Sequence, residues 1–143
     1  MAKLVRSITI QAPVDRVFAY ISEPANQVEI WPSMVEVTDV ERLPDGGYTH
    51  GWVYKMAGVR LKGSTETVEF LPNQRFVEET KGGIQSILTW TFEPEDGGTR
   101  LTVETEYKVP IPVLGRMAEA LIVKMNEREG ELVLANLKAR MEA

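Results

Sequence analysis

Residues 84–109 have the sequence IQSILTWTFEPEDGGTRLTVETEYKV, in which the turn Glu95-Asp96-Gly97-Gly98 separates two strand-like runs. Along each run the side chains alternate, so that one face of the strand would be buried and the other would face water. A sheet with one solvated face is typical of antiparallel pairing. We therefore predict two neighbouring antiparallel strands, with these residues facing inward: Ile84, Ser86, Leu88, Trp90 and Phe92 in the first, and Leu101, Val103, Thr105, Tyr107 and Val109 in the second.

The strand-like pattern extends upstream of this pair. Runs at 34–43, 47–56, 59–71 and 75–81 are separated by segments rich in glycine, proline and asparagine, which are typical turn signals. A further run at 3–11 alternates at the N-terminus. The chain is thus expected to contribute seven strands.

Helical spacing appears in two places. After Pro13, apolar residues recur at Val14, Val17, Phe18 and Ile21, which is the stripe of a core-facing helix, and Ser22-Glu23-Pro24 can cap a second short helix ending before Pro32. From Pro112 to the C-terminus the helical period returns, giving a helix of roughly 45 Å. The prediction is a single α+β domain over 1–143, in which a curved seven-stranded antiparallel sheet surrounds a long C-terminal helix, with two short helices between strands 1 and 2.

Composition excludes several classes of site. The 143 residues include no cysteine and one histidine, which excludes disulfides, thiolate zinc sites and thiol catalysis. Net charge is −5, with scattered basic residues and no long apolar run, so neither nucleic-acid binding nor stable membrane insertion is expected. We expect a cytoplasmic protein, monomeric or homodimeric, without a metal or cofactor.

A curled sheet around one helix predicts an internal cavity. Twisted sheets of this length curl around their cover, and a helix about 10 Å wide cannot fill the trough. In the run at 47–56 one face carries Tyr48, His50, Trp52, Tyr54 and Met56. If this face points inward, it joins Trp90, Phe92 and Tyr107 in an aromatic lining typical of a small-molecule pocket. Aromatic stripes of this kind more often belong to a packed core, and one bulge would reverse the faces. The run at 59–71 cannot be oriented this way.

The order of these features resembles the START/polyketide-cyclase (SRPBCC) superfamily of helix-grip proteins, which includes birch-pollen-allergen-like proteins and plant abscisic-acid receptors. The resemblance covers essentially the full length and rests on the following segments: Ile8-Thr9-Ile10-Gln11-Ala12-Pro13, Val17-Phe18-Ala19-Tyr20-Ile21, Asn26, Trp31-Pro32, Gly51, Glu66-Thr67-Val68-Glu69-Phe70, Pro72, Arg75-Phe76, Trp90-Thr91-Phe92-Glu93-Pro94 and Gly98-Thr99-Arg100-Leu101-Thr102.

This resemblance implies a deep cavity between sheet and helix for lipids, hormones, polyketides or other apolar molecules. The superfamily has no common catalytic set, so none is transferred to this chain. The resemblance favours an inward face for Trp52, Tyr54 and Met56, and likewise for Phe76, Glu78 and Thr80. The predicted ligand contacts are Trp31, His50, Trp52, Tyr54, Met56, Glu78, Ser86, Leu88, Trp90, Thr105, Tyr107, Met117, Leu121 and Met125.

Two residues are candidates for acid–base chemistry. His50 could deprotonate an enol or polyketide substrate, because histidine titrates near neutral pH; alternatively it is a polar group at the cavity rim. Burial would raise the pKa of Glu78 and make it a candidate acid. Alternatively Glu78 is solvated, since a slip of one residue exchanges it with Glu79.

Three functions follow as hypotheses. The first is a carrier or binding protein for an apolar small molecule, and the second is a cyclase or dehydratase using the same cavity on a polyketide-like substrate. The third is an interaction subunit whose own side chains fill the core. Residues 109–115 are predicted to form a lip of the cavity, a dimer contact or a membrane-touching patch, and Met141 is assigned to the core.

Overall fold

The computed structural model describes residues 2–56, 58–108 and 116–143, except for the side chains of residues 2, 56, 116–119, 121 and 122. Seven strands form one antiparallel sheet in the order β1-β7-β6-β5-β4-β3-β2. Their bounds are β1 Ala2–Ile10, β2 Met34–Arg42, β3 Tyr48–Met56, β4 Val59–Leu71, β5 Arg75–Gly82, β6 Ser86–Glu95 and β7 Gly98–Tyr107. The edge strands β1 and β2 do not pair with each other, so the described sheet is open.

The helices occupy the predicted places. Helix α1 spans Val14–Ile21, a short 3-10 helix at Pro24–Asn26 leads into α2 at Gln27–Ile30, and the long helix α3 spans Arg116–Met141. The predicted α+β helix-grip architecture is confirmed. Pro13 is the N-cap of α1 rather than its first helical residue.

Helix α1 closes one end of the curved sheet with an aromatic cluster. The Phe18 ring meets the rings of Phe70, Phe76 and Phe92 edge-on, at centroid distances of 5.2, 5.6 and 5.0 Å. Trp90 stacks on Phe76 with a centroid distance of 6.0 Å. Edge-to-face and offset-stacked arrangements of this kind stabilise a core beyond the area they bury. Phe92 and Trp90, which were predicted to line a cavity, both contribute their rings to this cluster.

Strand β4 takes an orientation that its sequence does not reveal. Thr65 and Thr67 are buried, and the pairing with β5 then shifts register between Thr67 and Glu69. After the shift, Phe70 packs against the core. The irregularity interrupts the two-residue alternation of inward and outward side chains. This explains why the residues of 59–71 could not be assigned to the two faces of the sheet.

The C-terminal half of α3 is fixed to the sheet and to α2. Val133, Leu137 and Met141 are buried in the main core, as expected for Met141. The Asn136 side-chain amide donates to the carbonyl of Ile30 at 3.0 Å, and Lys138 donates to the carbonyl of Thr9 at 2.9 Å. These contacts fix the position of α3 relative to the sheet.

No helix in the described part of the chain combines the length and the apolar character that crossing a membrane requires.

Candidate functional site

A cavity of about 110 Å³, counted as the space open to the centre of a water molecule, lies between the sheet and α3. One ordered water needs roughly 10–15 Å³ on this measure, so the cavity has room for several waters or a small organic molecule. Its wall is formed by residues from each of the seven strands or their ends, from the α2 region and from the middle of α3. It borders the main core and a second apolar cluster around Trp52 and Tyr54.

Many predicted contact residues lie on this wall, and others lie elsewhere. Those on the wall are Trp31, Trp52, Tyr54, Glu78, Ser86, Leu88, Thr105 and Tyr107. His50 and Trp90 are buried but do not line the cavity; instead His50 contacts the wall residue Gln27, and Trp90 contacts the wall residue Glu78. Met125 is 37% exposed and is also absent from the wall. The side chains of Met56, Met117 and Leu121, as well as segment 109–115, are outside the described part of the chain.

The wall also contains residues that were not among the predicted contacts, namely Leu4, Gln27, Met34, Thr65, Thr80, Ile84, Asn126, Glu129 and Gly130. Leu4 and Ile84 lie on the faces that strand alternation assigns to the interior, and the resemblance favours an inward Thr80, so signals for these three existed. The sequence contains no signal that places Glu129 on the wall, because a glutamate within a charged run of a helix is normally solvated.

Glu78 is the centre of a buried polar cluster at the sheet side of the cavity. Its side chain is 4% exposed. The Tyr48 hydroxyl donates to Glu78 Oε1 at 2.5 Å, and the Trp90 indole N–H donates to Oε2 at 3.0 Å. Burial raises the pKa of Glu78, and the bonds from Tyr48 and Trp90 only partly oppose this increase. Burial likewise raises the pKa of Tyr48 well above its ordinary value.

The cluster extends from Tyr48 towards His50 through Gln27. Gln27 lies close to the Tyr48 hydroxyl, and its amide nitrogen lies 3.5 Å from His50 Nε2. His50 Nδ1 lies 3.0 Å from the carbonyl oxygen of Gly51, so Nδ1 carries the proton when it donates this bond. Burial lowers the pKa of His50. The neutral imidazole thus belongs to a structural hydrogen-bond network that reaches the cavity wall through Gln27.

Replacing Glu78 by glutamine is expected to change how stability depends on pH. Because the folded-state pKa of Glu78 lies above its ordinary value of 4.5, its protonated form stabilises the fold fully below that pH. This stabilisation is lost as the pH rises through the folded-state pKa. Glu78→Gln has no such loss, so its free energy of unfolding relative to wild type should increase from pH 4.5 to pH 8. Each pH unit in which only the unfolded chain is ionised adds about 1.4 kcal/mol. Urea denaturation across this range measures the difference, and a constant difference would contradict the prediction.

Glu129 forms a second polar cluster on the opposite side of the cavity. Its side chain is 9% exposed. The backbone N–H of Ser33 donates to Oε1 at 2.8 Å, and the Ser33 hydroxyl donates to Oε2 at 3.1 Å. Tyr54 lies close to both residues, and burial, followed by the nearby Glu129 charge, raises the pKa of Tyr54. The two bonds from Ser33 connect α3 to the turn between α2 and β2.

Trp52 owes its position to a glycine on the adjacent strand. Trp52 pairs with Gly63, and a Cβ placed on Gly63 would lie 2.4 Å from Trp52 Cζ2 and 2.2 Å from the carbonyl oxygen of Lys81. The indole therefore occupies the space that any other side chain at position 63 would need. Trp52 is 4% exposed, and among the described residues its Nε1 has no hydrogen-bond partner. A buried indole N–H normally finds one.

The remaining polar side chains of the wall are largely paired with each other. The Thr80 and Ser86 hydroxyls are 2.5 Å apart, and Tyr107 hydrogen-bonds with Asn126. Within the described residues, no three His, Cys, Asp or Glu side chains lie close enough together to hold a metal ion. The site is thus an aromatic cavity in which several polar side chains of the wall are paired with neighbouring side chains.

Comparison with protein families identifies one match. The family model described as "Polyketide cyclase / dehydrase and lipid transport" covers residues 1–142. A search of curated proteins finds no match.

Solved structures share the fold across nearly the whole chain. TTHA0849 from Thermus thermophilus is 24% identical with a TM-score of 0.77, covering 98% of this chain and 97% of that one. A START superfamily protein from Mycobacterium smegmatis is 16% identical with a TM-score of 0.78, covering 98% and 97%. The di-domain ARO/CYC StfQ from the steffimycin biosynthetic pathway is 18% identical with a TM-score of 0.78, covering 98% of this chain and 50% of StfQ. At these identities the likeness concerns the fold alone.

Proposed function

The chain belongs to the polyketide cyclase / dehydrase and lipid transport family, and from this premise we propose that it binds an apolar, lipid-like or aromatic small molecule between the sheet and α3. The cavity carries this proposal. Its wall presents Trp31, Trp52, Tyr54 and Tyr107 around a space larger than a single water requires. Concave sites rich in aromatic side chains with few polar groups are typical of small-molecule binding.

The pairing of the polar wall residues supports an apolar ligand. Glu78 is satisfied by Tyr48 and Trp90, and Ser86 by Thr80. Displacing water from such a wall leaves few polar groups without a partner, which keeps the cost of burying an apolar molecule low.

A bulky side chain placed in the cavity should weaken the binding of a small molecule without changing the outer surface of the protein. Thr105 lines the cavity, whereas Glu106, the next residue on β7, does not and points to the opposite face. We expect Thr105→Trp to weaken binding of the neutral fluorescent probe N-phenyl-naphthylamine by about tenfold or more, since the indole would take the ligand's space, and the control Glu106→Trp to stay within about twofold. Probe titration measures both. Equal affinity of the two variants would place the probe elsewhere.

A native mass spectrum of the purified protein tests the function directly. An apolar compound that co-purifies with the wild type and is lost in Thr105→Trp would support binding and identify the ligand class. If no compound co-purifies and the neutral probe does not bind, the proposal fails. The hypothesis of a subunit with a self-filled core would then be favoured.

Glu78 favours a second candidate function, that of a cyclase or dehydratase-type enzyme using the same cavity. Burial raises the pKa of this wall residue, so it can hold a proton that a solvated glutamate would lose. His50, the other candidate, is separated from the cavity by Gln27. Incubation of a poly-β-ketone substrate with wild type and Glu78→Gln, followed by mass spectrometry, tests the enzyme. Turnover by wild type that collapses in Glu78→Gln would support it, and absence of turnover would reject it.

A further inference from the structure

The cavity wall carries an uneven distribution of ionisable groups. Its described residues include two glutamates, Glu78 and Glu129, and no lysine, arginine or histidine. The described salt bridges all lie elsewhere on the protein, and none involves either glutamate. Buried carboxylates are normally paired with a cation, because removing an unpaired charge from water is costly. The lining therefore contains acidic groups with no internal cation to balance them.

The two glutamates differ in how they are satisfied. Glu78 receives one donor at each oxygen, and burial shifts it towards the protonated, neutral form. Glu129 receives both donors from Ser33, one at each oxygen. A carboxylate has about four lone-pair sites, so Glu129, which lines the cavity, keeps capacity for a further donor.

Aromatic rings surround the same part of the wall. Tyr54 lies close to Glu129, and Tyr54 and Trp52 form one cluster, against which Trp31 packs. All three rings line the cavity together with Glu129. Ring faces attract cations, and cages of aromatic side chains recognise ammonium groups. The combination of an unpaired carboxylate and three aromatic side chains matches the requirements of a buried ammonium ion.

We propose that the cavity is selective for apolar amines, whose ammonium group binds at Glu129 among Trp31, Trp52 and Tyr54. This inference rests on the proposed small-molecule binding and specifies the ligand class. The ammonium supplies the missing positive charge and donates to Glu129, while the apolar part of the ligand occupies the remaining cavity. A carboxylate ligand of the same shape is disfavoured, because its charge would be desolvated beside Glu129 without a compensating cation.

Displacement of the neutral probe N-phenyl-naphthylamine by three matched competitors tests the proposal. Naphthylmethylamine is cationic at neutral pH, naphthylmethanol is neutral and naphthoate is anionic, and all three carry the same ring system. In the wild type we expect the amine to displace the probe at a concentration about tenfold or more below that required for naphthoate, with the alcohol in between. This comparison needs no variant and does not depend on how a mutant folds.

Glu129→Gln should bring the amine and the alcohol within about twofold of each other, whereas the control Glu131→Gln should keep the wild-type order. Glu131 lies on the same helix with its side chain 59% exposed. Thermal unfolding of both variants confirms that they are folded. Equal competition by amine and naphthoate in the wild type, failure of the amine to displace a bound probe, or an unchanged amine preference in Glu129→Gln would each overturn the proposal. Small-molecule binding would still stand in those cases, because it fails only if the probe itself does not bind.

Discussion

Replacing Glu78 by leucine is expected to lower the free energy of unfolding by about 2–6 kcal/mol. Leucine fits the space approximately but accepts no hydrogen bond, so the Tyr48 hydroxyl and the Trp90 indole N–H both lose their partner. Each buried donor left without an acceptor costs about 1–3 kcal/mol. Urea denaturation followed by far-UV circular dichroism measures the loss. The matched control is Glu79→Leu, on the other face of β5, which should change stability by about 0.5 kcal/mol at most.

A second substitution tests whether Glu78→Leu destabilises the protein through unsatisfied hydrogen-bond donors or through a general packing defect. Adding Tyr48→Phe to the Glu78→Leu variant removes one of the two unsatisfied groups, so the double variant should be more stable than Glu78→Leu alone. Tyr48→Phe in the wild type should instead destabilise, because it removes a donor that Glu78 uses. Such a reversal of sign is expected of residues that interact directly. A double variant less stable than Glu78→Leu would contradict this account of the cluster.

Gly63→Ala is expected to destabilise the protein by about 3 kcal/mol, at the upper end of what overpacking costs. The new methyl group would lie 2.2 Å from the carbonyl oxygen of Lys81 and 2.4 Å from Trp52 Cζ2. The backbone carbonyl is held in the sheet, so the strain must be relieved by movement of β4 and of the Trp52 ring. Because Trp52 lines the cavity, this movement should also weaken binding of the neutral probe.

The adjacent residue provides the control for this prediction. Ser64 is exposed on the opposite face of β4, and Ser64→Ala should change stability by about 0.5 kcal/mol or less. Chemical denaturation and probe titration of both variants make the comparison. Similar stabilities of Gly63→Ala and Ser64→Ala would show that the ring is not confined by the glycine.

The sequence predicted the strands and helices well because their signals are local. Alternation placed Trp52 and Tyr54 on one face of β3, and the i, i+3, i+4 spacing placed Val17, Phe18 and Ile21 on the buried side of α1. In β4 the register shift between Thr67 and Glu69 interrupted the local pattern. A bulge depends on the pairing of two strands, so the pattern of one strand could not reveal it.

The cavity was harder to predict residue by residue. Trp90 shares its strand face with Leu88, but only Leu88 reaches the wall, because Trp90 packs on Phe76 in the cluster closed by α1. Whether an inward side chain borders the cavity or lies in the packed core depends on the elements that cover the strand. The alternation of apolar and polar residues along the strand does not contain this information. Glu129 was missed for the same reason, since its burial depends on Ser33, far away in the sequence.

By itself, the sequence determined the order of the elements, the inward face of most strands and the aromatic character of the interior, because these follow from periodicities of two and 3.6 residues. Only the tertiary structure decided which inward side chains are core and which surround open space. It alone brought Glu78 to Tyr48 and Trp90, and Glu129 to Ser33 and Tyr54. Those contacts join residues that are distant in sequence, and they form only because the sheet curls around α3.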